Sequence, residues 1–466
     1  MKKTIAISII ACLLIVYLPG CQVTSSGVTS ESATTASATE APATTAPATT
    51  AQTTAAAADS SAEPVTVEFW DPELRDDGMA AWAAFIEKFE NANPLIKIER
   101  VSIPWNDENP KLQAAAAANS MPNIVHAFHT YHAGWGYQGF AREVNDLVDE
   151  FGGPDNFASG PMLRSTVDGV IYAIPFIFYP HVIHYRKDLY EKYNLSIPTT
   201  WDELYENAKT IQDGELSEGT YGFYVYNAGE QPYPLVNLMA TNDAHAFDKD
   251  ANIVINSLET IEALAFLQKL LTVSPPGSIT RTDNSSNAFL AGEAAHIWSS
   301  TSFINTVVAE DALDKFGTFP TPVQKGEFQA FCDFGAFTIT KQPEGQPEAM
   351  DFIRYFFKKE NSMEFYQNFV IGLLPTNKSI LESDEFWNYP RIAKAADSLK
   401  AALPVADNGI GMFMDYGSTI YAAPARSENI LGKMVEYLDL EHWTPEQVAE
   451  WAEEELITIK ADIDSQ

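Results

Sequence analysis

The stretch V-T-V-E-F-W at residues 65–70, stopped by Asp71-Pro72, decides how the rest of the chain is read. Val65, Val67 and Phe69 alternate with Thr66, Glu68 and Trp70, the period of a strand with one buried face. Trp82, Phe85, Ile86 and Phe89 then recur at i, i+3, i+4 and i+7, one apolar face of a helix. Asn93-Pro94 ends that helix, and Ile96, Ile98 and Val101 give a second strand. Pro110 can open another helix, running through the alanines to about Asn119, and Ile124-Val125 read as a third strand. This β-α-β-α-β order predicts an α/β fold with a parallel sheet flanked by helices.

Further along the pattern is helical. Thr200-Trp201-Asp202-Glu203 is a capping box that starts a helix with Trp201, Leu204, Tyr205, Ala208 and Ile211 inward. Another helix starts near Ser257 and buries Ile261, Leu264, Ala265 and Leu271. Thr444-Pro445-Glu446-Gln447 is again a capping box, and Val448, Trp451, Ala452 and Leu456 form the stripe that follows. No repeat of solenoid length is present.

The N-terminal part is of another kind. Lys2 and Lys3 precede an apolar run from Ile5 to Leu18, broken only by Ser8, which has signal-peptide length and is shorter than the roughly 20 residues that span a bilayer. Leu18-Pro19-Gly20-Cys21 resembles the lipobox of bacterial lipoproteins, which implies a signal peptide over residues 1–20 and a lipid on Cys21. Pro19 departs from the small or aliphatic residue usual there. Residues 21–63 are almost entirely Ser, Thr and Ala, without an aromatic side chain, and cannot bury enough surface to offset the entropy of ordering. They read as a disordered tether, spanning about 35 Å as a flexible chain.

Some 400 residues remain, too many for one ordinary core, so two domains are expected. The formal charge is −34, a surface that repels phosphate backbones and anionic lipid. Nucleic acid is therefore no partner, and membrane contact is expected only through the anchor. With Cys12 in the signal and Cys21 lipidated, Cys332 has no disulfide partner and reads as a small buried apolar residue.

Several segments, in order, resemble the extracellular solute-binding proteins of carbohydrate importers, the group that includes maltose-binding protein. They are V-T-V-E-F-W at 65–70, F-E-N-A-N-P-L-I-K-I-E at 89–99, D-G-V-I-Y-A-I-P-F at 168–176, H-Y-R-K-D-L-Y at 184–190, F-L-A-G-E-A-A-H-I-W at 289–298, F-G-A-F-T-I-T-K at 334–341 and G-L-L-P-T at 372–376. The resemblance implies a two-lobed, periplasmic-binding-protein-like (type II) fold, with mixed sheets flanked by helices and a hinge crossed three times. Mapped onto this chain, lobe 1 would be 64–178 plus 332–372 and lobe 2 would be 179–331 plus 373–466. A ligand touching both lobes favours the closed form by its difference in affinity between the two states. The resemblance further implies a monomeric receptor that hands its solute to the permease of an ATP-driven importer, with no cofactor.

A sugar offers hydroxyls at its edges and C–H groups on its faces, so aromatic rings and a few fixed polar groups complement it. Trp70 ends the first strand, where ligands of such sheets sit, and Asp71 could accept hydroxyl hydrogens; the alternative is a core Trp and a turn Asp. By the resemblance, Trp298 offers a stacking platform, with a core Trp as the alternative. Gln231 and Tyr233 of G-E-Q-P-Y line the second lobe, Asn242 stands where the family has a Gly-rich turn, and Tyr179 sits near the crossing. Phe413, Asp415 and Tyr416 match a late aromatic segment that can close the cleft.

The stretch H-A-F-H-T-Y-H at 126–132 raises the question of a metal. Following a strand, His126 and Phe128 point to one side and Ala127 and His129 to the other, and three histidines three apart converge only on a helix. His129 and Thr130 are therefore expected as cleft-edge groups; His126 and His132 stay open. Motifs for nucleophilic, P-loop, dithiol and zinc-protease chemistry are missing, so an enzyme is not expected. Two carboxylates would suffice for glycoside hydrolysis, and a peptide or metal chelate is an alternative cargo for the same fold.

Overall fold

The computed structural model describes residues 63–227, 232–281, 285–341 and 345–465. The expected signal peptide, Cys21 and the tether lie outside the described residues, as does Gln231. The opening strand is Val65–Asp71, with Val67, Phe69 and Asp71 buried. It pairs parallel with Ile96–Ser102 on one side and with Ile124–Phe128 on the other. The helix between the first two strands, Asp76–Ala92, buries Trp82, Phe85 and Phe89, as its period predicts.

Beyond these three strands the sheet departs from the parallel expectation. Ile124–Phe128 pairs antiparallel with Cys332–Ile339, which pairs antiparallel with Ile174–Arg186. Two of the sheet's members thus come from far along the chain, so local order could not reveal their direction.

The 13-residue strand Ile174–Arg186 is the spine of the molecule. Its first half, to Pro180, pairs with Cys332–Ile339; from His181 it pairs instead with His296–Ser300 and Phe316–Phe319. The exchange of partners falls at Pro180, which has no N–H to give to a ladder. Two other segments run beside it: His181 donates its backbone N–H to Phe331 O at 2.8 Å, while Cys332 N–H donates to Ile410 O and Ile410 N–H to Ala330 O, each at 2.9 Å. These three segments are the hinge crossings.

Two large cores lie on either side. One gathers Phe69, Trp82, Phe176, Phe337, Phe352, Phe356 and Phe365, with Trp82 and Phe365 rings 4.6 Å apart. The other gathers Trp201, Phe223, Phe266, Trp298 and the helices Leu258–Leu271, Ile430–Asp439 and Pro445–Asp464. Thr200, Ser257 and Thr444 cap their helices as expected, and Thr444 with Gln447 forms the full capping box. Core membership does not change at 372/373. Leu374, Ile380, Phe386, Ile392, Leu399 and Val405 all pack in the first core, and the change comes between Ala406 and Ile410. Short helices with many apolar residues carry no mark of which core they join.

Candidate functional site

The site is built where the cores meet. From the first lobe come Tyr179, at the end of the first half of the spine, and Asp333, directly opposite it in register. Asp333 is fully buried. Its Oδ1 accepts from His129 Nδ1 at 2.5 Å and from the Phe334 N–H at 2.9 Å, while its Oδ2 has no partner. From the second half of the spine comes His181, whose ring lies 4.2 Å from that of Tyr233 and 4.7 Å from that of Phe331. Tyr233 in turn stacks on Phe331 at 5.3 Å. An aromatic wall thus stands beside a carboxylate oxygen, His181 Nδ1 and His129 Nε2, all buried and unpaired. Such atoms are costly when left without a partner.

The electrostatics follow from burial. Desolvation pushes His181 down to about 3, so it is neutral at physiological pH. It also lowers His129, against the pull of Asp333. Burial alone would raise Asp333, but His129, with Arg426 and His181 further off, holds it below the usual carboxylate range. Tyr179 is raised well above its ordinary value by burial, then by Asp333 and Tyr233, so it is a neutral donor. The site offers one carboxylate, neutral rings and phenols.

Arginines tie the lobes together here. Arg426, from the second-lobe helix Ala422–Ser427, donates to Thr130 Oγ1 at 3.4 Å, so Thr130 is a cross-lobe contact. Arg164, buried at the hinge, donates to Gly409 O at 2.7 Å and Cys332 O at 2.9 Å, binding two crossings to the first lobe. Cys332 is buried on that crossing and its thiol is pushed up to about 12 by burial, the inert residue expected.

The other expected residues fall elsewhere. Asp71 is fully buried and already filled: Oδ2 takes Arg100 Nε at 2.8 Å and Oδ1 takes His126 Nδ1 at 2.6 Å. It has no oxygen left for a solute. Trp70 is half-buried and donates to Glu68 Oε1 at 2.6 Å, packed against a small cluster with Leu112 and Trp135. Trp298 does not line the cleft. It is enclosed in the second core, 4.5 Å from Phe223, with Nε1 donating to Thr321 Oγ1 at 2.9 Å. Asn242 is buried too and donates to Glu259 O and Glu262 Oε2 at 2.8 and 2.9 Å, a tie within the second lobe.

Phe413 joins the second core. Asp415 and Tyr416 meet at His245, 3.0 and 3.1 Å from its two nitrogens, in a cluster with Asp243 and Phe328. The histidine stretch is neither all strand nor all helix: the strand runs to Phe128 and a helix, His129–Tyr137, begins at once. Each histidine has its own partner, Asp71, Asp333 or Thr338. Among the described residues no group of three His, Cys, Asp or Glu is arranged to hold a metal ion. His132 sits near 3 through burial.

Sequence reasoning passed over Asp333, His181, Phe331, Arg164 and Arg426. A signal for Asp333 existed: an acid inside the apolar run F-C-D-F-G-A-F at 331–337, a place where a charge survives only when paired or used.

Two lobes and three hinge crossings with a lined junction between them define a two-lobed binding-protein fold. Residues 84–394 match the family described as bacterial extracellular solute-binding protein, and the chain belongs to that family. It is 24% identical over 351 residues, 72% of this chain and 78% of the other, to YcjN of Escherichia coli (strain K12), described as an ABC transporter periplasmic-binding protein. In fold it is similar to maltose-bound MalE3 of T. maritima, with TM-score 0.71, 22% identity and coverage of 84% and 99% of the two chains. It is similar as well to an ABC transporter solute-binding protein of Thermotoga lettingae TMO bound with α-D-tagatose, with TM-score 0.72, 17% identity and coverage of 85% and 99%.

Proposed function

We propose that this protein is a lipid-anchored extracytoplasmic receptor that captures a sugar between its lobes and delivers it, chemically intact, to an ABC permease. The observation that carries the sugar is the junction itself. Asp333 Oδ2, His181 Nδ1 and His129 Nε2 are buried and unpaired beside the Tyr233–Phe331 stack, the pairing of fixed polar groups with flat rings that a sugar needs. Maltose and tagatose in the neighbouring structures support the same class. The change of core membership supports a first lobe of about 64–180 plus 332–406 and a second of about 181–331 plus 410–465. The lipid rests on Cys21 and the run before it.

A thermal-shift panel of neutral sugars, peptides and metal chelates tests the cargo, since a binder raises the melting point by an amount set by its concentration over Kd. Sugars alone are expected to shift it, and no reducing ends are expected to appear on incubation. A shift by peptides alone, or release of reducing ends, overturns the reading. Cys21→Ser is expected to move the protein from the membrane fraction to the soluble one; unchanged fractionation removes the anchor from the proposal.

A further inference from the structure

The hinge crossing that carries Ile410 continues as residues 411–418, and it is fastened on both sides. Toward the first lobe, Arg164 of the helix Ser159–Arg164 donates to Gly409 O at 2.7 Å, and its own carbonyl accepts from Ser418 Oγ at 2.9 Å. Between these ends the backbone lies hard against the site. A β-carbon on Gly411 would come within 2.7 Å of Arg164 Cδ and 3.1 Å of His129 Nε2, so a glycine lets the segment cover His129. Toward the second lobe the polar fastening gathers on one imidazole. His245 Nδ1 lies 3.0 Å from Asp415 Oδ2, and its Nε2 lies 3.2 Å from Asp243 Oδ1 and 3.1 Å from Tyr416 OH.

A neutral imidazole has one N–H and serves one of the two acids; an imidazolium serves both. Without its proton, Nε2 only accepts, from Tyr416, and Asp415 becomes a buried carboxylate facing an uncharged ring. The other charged groups around the ring are few. Asp248 and Glu327 act on Tyr416, Arg164 attracts Asp415 from the first lobe, and Lys325 is spent on Glu262 and Glu259. The Phe328 ring packs edge-on at 5.4 Å. Burial alone would lower His245, but Asp415 and then Asp243 raise it above its ordinary value of 6.5. Burial raises Asp415, against the pull of His245. We propose that His245, when it carries both ring protons, clasps this crossing to the second lobe, and that loss of one proton loosens the cover over His129. The clasp is held near the ordinary histidine value and opens as pH rises through the higher value of the folded protein. In acid it opens from the other side, as Asp415 takes up a proton. The device acts on the hinge and is independent of which solute the cleft holds.

Hydrogen exchange of the full chain tests it without any solute. The readout is protection over residues 409–418 by mass spectrometry, at about pH 6.5 and about pH 9, divided by the free-peptide rate at each pH. Protection is expected to fall about tenfold at the higher pH, the effect of one unit of difference in proton affinity between the fastened and the loosened segment. In His245→Gln, which removes the titrating ring, protection is expected to be the same at both pH values. Asp243→Asn keeps a residue that tolerates the left-handed backbone there (φ 58°) and is expected to reduce the fall to about threefold. Asp243 is half-exposed, so its variant reads the clasp should His245→Gln fail to fold. The helix Leu258–Leu271 reports folding, with equal protection expected in all three proteins. Equal protection of 409–418 at both pH values in the parent, or the parent's full fall retained in the folded variants, overturns the clasp and leaves the sugar reading standing.

Discussion

Two carboxylate–histidine pairs in the same sheet look alike and differ in one respect. Asp71 with His126 is closed, since Arg100 takes the second carboxylate oxygen. Asp333 with His129 is open, because its Oδ2 meets nothing. Both acids are buried on a strand, and both histidines donate through Nδ1. Residue type and strand position therefore do not separate the two acids; the number of lone pairs already used does.

The sharpest way to break this comparison is to remove each carboxylate. Asp71→Ala leaves a buried histidine and a mostly buried arginine without their acid, and a loss of about 3–5 kcal/mol in unfolding free energy is expected by urea titration. Sugar affinity of the folded fraction is expected to stay near the parent's. Asp333→Asn keeps the shape and one oxygen for the Phe334 N–H, so the fold is expected to survive. Affinity for the cargo found in the thermal-shift panel is expected to drop by about 1.5–3 kcal/mol, the worth of a hydrogen bond to a charged group, read by calorimetry. A weak binder from Asp71→Ala, or a full-strength binder from Asp333→Asn, would reverse the assignment.

A smaller effect separates the open pair's surroundings from bulk histidines. His181 and His132 are held near 3 by burial, against about 6.5 in an unfolded chain. As pH falls below that ordinary value the unfolded chain takes up protons that the folded one refuses. Their contribution to stability is whole above about pH 6.5 and is lost progressively toward pH 3. His181→Gln is expected to flatten the slope of stability against pH between 6.5 and 4 by up to about 1.4 kcal/mol per unit, measured by urea midpoints without sugar. An unchanged slope would mean that His181 takes its proton in the folded state.

Much of the frame was legible because it is local. The 2-residue period of Val65, Val67 and Phe69 and the helical period of Trp82, Phe85 and Phe89 report which face is apolar, and the three caps report where helices begin. The site was less legible. Tyr179 and Tyr233 lie at the junction of the cores, but Trp298, with the same credentials as a platform, is sealed in the second core by Phe223 and Thr321. An aromatic ring serves a core and a sugar by the same flat apolar face, so composition cannot tell the two uses apart.

By itself, then, the sequence determined the α/β class, the two-body family and a supply of rings, since periodicity and the order of motifs are properties of neighbours along the chain. Only the tertiary structure decided which acid keeps a free oxygen and which ring meets it. Asp333 and His129 lie 204 positions apart, and a lone pair's occupancy depends on what long-range packing brings within 3 Å of it.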